Sequence, residues 1–225
     1  MDINLIYIKL RIWAGNIFRN ILWKFGCDWL LWKKERFVEY PWIFTNIGEK
    51  ENQKILDIGV GSSIFPLVVA SLGHDIYALD LEDSRSKDMK KLAQGIPFYH
   101  FIKGDATALP FKNSTFDNVF FISSLEHINF PKKAILEAER VLRKNGRLLI
   151  TLPYGFKPEN LKIDFSLYNK QTIKELTKDR KLTIKGKSFF VGKNNNWIKS
   201  NEEEADKTKS TFIVKAIICL RLEKS

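Results

Sequence analysis

The chain has 225 residues, two cysteines and a formal net charge of +11. That length fits one α/β domain with additions or two small domains, and 44% apolar residues allow a sizeable core, which excludes a disordered chain. Two cysteines, Cys27 and Cys219, are too few for a disulfide framework, so both are expected as reduced, buried thiols of a cytoplasmic protein.

The charge is unevenly placed. Residues 1–36 hold seven basic against three acidic residues, residues 37–156 hold fourteen of each, and residues 157–225 hold sixteen against nine. The neutral middle suits a core that works on small molecules. The basic ends suit either plain solvation or an anionic partner, whether membrane, nucleic acid or phosphorylated substrate.

In residues 1–36, Leu10, Ala14, Ile17, Phe18, Ile21, Leu22 and Phe25 share one helical face. Lys9, Asn16, Asn20 and Lys24 fall opposite, with Trp13 and Trp23. The pattern predicts an amphipathic helical extension, either a lid over the domain or an interfacial helix where tryptophan and lysine meet a membrane. Lys9, Arg11, Arg19 and Lys24 interrupt it too soon for a signal peptide or a spanning helix.

Residues 37–225 are expected to form one domain. From 53 to 152, strands and helices alternate. Strands are predicted at 54–58, 75–80, 98–103, 117–122 and 147–152, with helices at 64–72, about 84–94 and 131–144. In the last helix, Ile135, Leu136, Ala138, Val141 and Leu142 recur at helical spacing between Pro131 and Asn145-Gly146. Such alternation implies a doubly wound, mostly parallel, Rossmann-like sheet. After 152, a helix is predicted near 170–178. Two strands follow, at 181–191 and 211–222, as an antiparallel edge hairpin that brings the sheet to seven strands. The stretch 193–209 reads as a polar loop between them.

The segment KILDIGVGSS (54–63) ends its strand near Asp57 and turns through Gly59 and Gly61. Glycine permits the sharp turn and leaves bare backbone for a ligand, and the next helix begins with free N–H groups. A dinucleotide site needs G-x-G-x-x-G, but Ile64 stands where the last glycine belongs. A carboxylate two residues before Gly59 suits an ammonium rather than a pyrophosphate, which points to an amino-acid-bearing nucleoside. Asp80 closes the second strand, 23 residues after Asp57, where a carboxylate accepts from both ribose hydroxyls. After the third strand, Gly104-Asp105-Ala106-Thr107 places an acceptor for an exocyclic amine beside backbone that can meet a purine edge.

Together LDIGVGSS (56–63), YALDL (77–81), GDATALPF (104–111), FDNVFFISSLEHI (116–128) and AILEAERVLRKNGRLLITLP (134–153) resemble the class I S-adenosylmethionine-dependent methyltransferases of the broad small-molecule type. EYPW (39–42) also resembles a stretch before the first strand in some of them. The resemblance implies S-adenosylmethionine as cofactor. It puts Asp57, Gly59 and Gly61 at the methionine part, Asp80 and Leu81 at the ribose, Asp105 and Ala106 at the adenine, and Ser123 at the sulfonium end. The family commonly has a third glycine where this chain has Ser63. Ser63 is expected to cap the next helix, with Pro66 harmless in its first turn.

Methyl transfer from a sulfonium is a direct displacement, so the protein mainly aligns the acceptor and excludes water, worth about 7–11 kcal/mol. A base is needed only where the acceptor loses a proton. His127 is the candidate base, with Glu126 to orient it. Tyr154 and Tyr168 fall where an acceptor pocket often forms. Relatives that methylate phenolic hydroxyls through a metal carry E-x-x-E-H; here Ser123 replaces the first carboxylate, so no metal is expected. The absence of N-P-P-[YF] after the fourth strand argues against methylation of a base amine.

The expected activity is methyl transfer to a small or medium acceptor at oxygen, with a small-molecule, lipid-linked or glycan acceptor. The basic, tryptophan-rich 1–36 suggests peripheral membrane contact, and nucleic acid stays open as a partner. Two other readings stand beside it: an RNA or protein methyltransferase that uses the basic ends, and a catalytically silent scaffold that binds S-adenosylmethionine.

Overall fold

The structure, a computed structural model, describes residues 35–81, 93, 96–156, 165–178, 180–193, 196–210 and 214–225. The N-terminal amphipathic stretch through residue 34, Cys27 and nearly all of the helix expected at 84–94 lie outside them.

The element order begins with α1 (Arg36–Asn46), β1 (Lys54–Ile58), α2 (Phe65–Ser71), β2 (Asp75–Asp80), β3 (Tyr99–Lys103) and β4 (Phe116–Ile122). A 3-10 turn (Leu125–His127) precedes α3 (Pro131–Val141) and β5 (Leu142–Pro153). Then come α4 (Lys170–Thr177), β6 (Leu182–Lys193), β7 (Asn196–Ser200), α5 (Glu202–Asp206) and β8 (Ala216–Lys224). The sheet order is β3-β2-β1-β4-β5-β8-β6-β7. The first five strands are parallel, and β8 pairs antiparallel with both β5 and β6.

The α/β class and doubly wound sheet match expectation, with two corrections. Among the described residues the sheet has eight strands, not seven, because β7 pairs antiparallel with β6 inside the stretch expected to be a polar loop. That stretch also contains α5, where the Asn201 side chain accepts from the Glu204 N–H. In addition, α3 ends at Val141, and Asn145 follows with φ +60° inside β5.

Alternation along each strand sorts the core into two layers. Leu56 and Ile58 of β1, Val119 and Phe121 of β4, and Leu148 and Ile150 of β5 pack with Ala134, Ile135 and Ala138 of α3 and Ile173 and Leu176 of α4. Ile55, Phe120, Ile122 and Leu149 point to the other face, against Trp42 and Ile43 of α1 and Phe65 and Val69 of α2. Asp57 has the parity of Ile55, so the fold turns its side chain toward α1 and α2. Cys219 is a free, buried thiol in that second layer, and burial pushes its pKa up.

Candidate cofactor site

The carboxyl ends of β1, β2 and β3 lie side by side, and the three sequence-predicted acids sit there. Asp57 is the penultimate residue of β1, Asp80 is the last of β2, and Asp105 follows β3. The register pairs Ile58 with Leu79 and Asp80 with Lys103, so these strand ends are level. This edge is where open α/β sheets take their ligands.

Gly59 and Gly61 adopt φ +75° and +52°. The Gly59 N–H donates to the Leu79 carbonyl at 2.7 Å, and the Gly61 N–H donates to Asp80 Oδ2 at 2.7 Å. The glycine turn is thus tied to the second strand, and the turn holds one oxygen of Asp80. A Cβ on Gly59 would lie 2.6 Å from Ser124 Cβ, so no larger residue fits there without displacement. Ser63 Oγ accepts from the Phe65 N–H at 3.2 Å and lies 2.9 Å from the Tyr40 hydroxyl. It therefore satisfies a donor at the start of α2, one residue ahead of the expected cap position, with Pro66 in the first turn.

Asp57 is only 2% exposed, and no described residue hydrogen-bonds its carboxylate. Burial pushes its carboxyl up to about 8; nearby Arg36 pulls it down and Asp80 pushes it up. It borders a small cavity lined by Arg36, Tyr40, Gly59, Val60, Ser63 and Ile122. A buried carboxylate beside a cavity is a costly arrangement unless a cation completes it. The ammonium of an amino-acid tail is such a cation, so the residues present fit S-adenosylmethionine.

On the third strand's loop, Asp105 is exposed, and its Oδ1 accepts from the Thr107 N–H at 2.8 Å. That bond holds its carboxyl below the usual range. The same loop is clamped from α3. Glu137 Oε2 accepts from the Leu109 N–H at 2.8 Å, and Arg140 donates to the Leu109 and Phe111 carbonyls at 3.0 and 2.7 Å. Ala106 is buried beneath this loop, whereas Leu81 is 66% exposed.

Ser123 sits at the end of β4 with φ +43°. Its hydroxyl donates to Glu39 Oε1 at 2.5 Å. Glu39 is fully buried, accepts from Thr151 Oγ1 at 2.7 Å, and pairs with Arg36. Burial alone would lower the Arg36 pKa, but Glu39 and its other anionic neighbours raise it above the ordinary value. Arg36, Glu39 and Tyr40 were not among the residues singled out from sequence. The EYPW resemblance located Glu39 and Tyr40 without giving them a role, and it does not include Arg36.

His127 is exposed on the 3-10 turn, near the Phe165 ring at 6.2 Å, whereas neighbouring Glu126 is buried. The Ser166 N–H donates to the Glu126 carbonyl at 3.0 Å and joins this turn to the segment after β5. Tyr154 and Tyr168 are core residues, 0% and 5% exposed. A larger cavity, about 280 Å³, lies beyond β5 between Gly155, Phe156, Asn169, Lys170, Gln171 and Asp206, and it contains none of the predicted site residues. Among the described residues, no cluster of three metal-ligating side chains occurs. Among them too, no helix is long and apolar enough to cross a membrane.

The chain is similar in sequence and fold to known methyltransferases. A methyltransferase domain family matches residues 56–150. A demethylmenaquinone methyltransferase from Renibacterium salmoninarum is 36% identical over 104 residues, 46% of this chain and 43% of that protein. A ubiquinone/menaquinone biosynthesis C-methyltransferase from Roseobacter denitrificans is 33% identical over 126 residues, 53% of this chain and 47% of its own length. The chain thus spans about half or less of the length of the curated relatives it matches. A SAM-dependent methyltransferase from Aquifex aeolicus superposes with a TM-score of 0.60 at 15% identity, over 83% of this chain and 90% of that one, a likeness of fold. These comparisons support the enzyme class and the cofactor expected from the sequence. Residues 56–150 thus match a methyltransferase domain family, and the chain shares the fold of solved S-adenosylmethionine-dependent methyltransferases.

Proposed function

We propose that this protein transfers the methyl group of S-adenosylmethionine to a nucleophilic carbon or oxygen of a small or medium acceptor. One observation carries the reading: Asp57 is a buried carboxylate with no hydrogen-bond donor among the described residues, beside the glycine turn and opposite Ala78, two residues before Asp80 on the neighbouring strand. Asp57 binds the ammonium of the cofactor's methionine part, with Gly59 and Gly61 against that tail. Asp80, oriented by the Gly61 N–H, accepts from the ribose, with Leu81 beside it. Asp105 and Ala106 meet the adenine. Ser123 lines the sulfonium end through its backbone, since its hydroxyl is committed to Glu39. When bound, the cofactor supplies an already activated methyl carbon. The chain's residues orient it, exclude water and, through His127, take a proton where the acceptor must lose one.

The oxygen acceptor expected from the sequence gains no support from the relatives, one of which is named as a C-methyltransferase, so both atoms are kept. By their names, one relative is a demethylmenaquinone methyltransferase and the other a C-methyltransferase of ubiquinone/menaquinone biosynthesis, which supports a lipophilic small molecule over RNA or protein. A cytoplasmic enzyme that reaches such an acceptor through membrane contact of residues 1–36 is consistent with the basic, tryptophan-bearing composition of that stretch. The test is incubation with methyl-labelled S-adenosylmethionine and separated lipid, small-molecule, RNA and protein pools. Label in the lipid or small-molecule pool is expected. Label confined to RNA or protein would replace this acceptor class, and cofactor binding without transfer to any pool would favour a silent scaffold.

A further inference from the structure

We infer that Arg36 receives the carboxylate of the cofactor's methionine part, and that Glu39 is the positioning residue that aims it. The inference rests on the proposed cofactor site and adds a residue to it. Arg36 lines the same small cavity as Asp57 and Gly59. An amino-acid tail carries two opposite charges. Asp57 matches the ammonium, and Arg36 is the basic side chain among the residues lining that cavity.

The guanidinium is aimed from one side only. Among the described residues, its hydrogen bonds leave from Nη1, to Glu39 Oε2 and, at 3.4 Å, to the Ile122 carbonyl. Its remaining N–H donors stay available to a carboxylate, which the planar fork of arginine suits. Glu39 is anchored in turn by the hydroxyls of Ser123 and Thr151, so α1 is pinned to the ends of β4 and β5. A buried carboxylate held by three donors, with its arginine partner facing a cavity, is more than a tether for a helix. Tyr40 borders the cavity as well, 5.7 Å beneath the guanidinium, and stacks on Phe65 at 4.5 Å.

The experiment compares two compounds by calorimetry on the full chain. One is S-adenosylhomocysteine. The other is its decarboxylated analogue, which keeps the amine and lacks the carboxylate. Wild type should prefer the first by about tenfold or more, the worth of one charge-assisted bond. In Arg36→Met/Glu39→Gln, which removes both charges of the Arg36–Glu39 pair together, that preference should vanish while the analogue, which lacks the carboxylate, loses far less affinity. Arg36→Lys should retain part of the preference. Glu39→Gln alone should shrink it without a matching loss for the analogue. Equal losses for both compounds, or an undiminished preference in the double variant, would overturn the assignment and make Arg36 a structural tether. If wild type binds neither compound, the cofactor reading falls and this assignment with it.

Discussion

Replacing Asp57 with asparagine should make the protein more stable and unable to hold its cofactor. The carboxyl has an ordinary value of 3.8 and sits near 8 in the fold, chiefly through burial, against the pull of Arg36 and with a push from Asp80. Its folded-state value is therefore raised. Below pH 3.8 it is protonated in both states and carries no penalty. Between about 4 and 8 the folded state holds a proton that the unfolded state has released, so stability falls as pH rises through that window. The slope approaches 1.36 kcal/mol per pH unit, which gives about 3 kcal/mol between pH 5 and pH 7 and about 4 kcal/mol of accumulated cost at pH 7.

Asparagine has nearly the same shape and no charge to bury. The stability of Asp57→Asn relative to wild type should therefore rise by about 3 kcal/mol from pH 5 to pH 7, whatever constant offset the new amide introduces. Urea unfolding of both proteins at the two values measures this, and the offset cancels in the difference. A relative stability that does not change between pH 5 and 7 would refute the placement of Asp57 as an uncompensated buried carboxylate. The same variant should lose most of its affinity for S-adenosylhomocysteine. Binding to wild type should release a proton near pH 7, seen as a calorimetric heat that varies with the ionisation enthalpy of the buffer.

Gly59→Ala places a Cβ 2.6 Å from Ser124 Cβ at φ +75°. Ser124 is anchored by its own 2.6 Å bond to the Ile58 carbonyl. A loss of about 1–3 kcal/mol in unfolding free energy is expected, with weakened cofactor binding; unchanged values for both would show that the turn relaxes freely. His127→Asn, at an exposed position, should leave the melting temperature and S-adenosylhomocysteine affinity nearly unchanged. Once a pool that accepts label is known, its turnover on that acceptor should fall by about 10²–10⁴ if a proton is removed there, and an undiminished rate would exclude His127 as base.

What could be read along the chain was whatever the chain writes locally. Strand ends, the glycine turn and the acids behind it recur within a few residues of one another. The parallel order of β1 to β4 then follows from right-handed crossovers, so Asp57, Asp80 and Asp105 could be placed on one edge. The edge strand β7 escaped because its burial signal is weak. Asn196–Ser200 has two half-buried residues among exposed ones, and its pairing with β6 depends on a partner strand rather than on apolar alternation.

Arg36 and Glu39 were illegible for a different reason. Glu39 meets Ser123 and Thr151, which lie 84 and 112 residues away, and nothing near it in sequence announces a buried carboxylate. The same distance explains Ser123. Its position at the end of β4 was legible, but its hydroxyl points back to α1 rather than into the cofactor edge. A strand-end residue reaches the edge by topology, whereas the free valences of its side chain depend on what folds over it. Of the three acids, Asp80 is engaged by Gly61 and Asp105 by Thr107, so each is oriented by its own turn. Asp57 alone among them carries no such bond from the described residues, which is why its binding and titration are the sharpest tests of the proposed cofactor site.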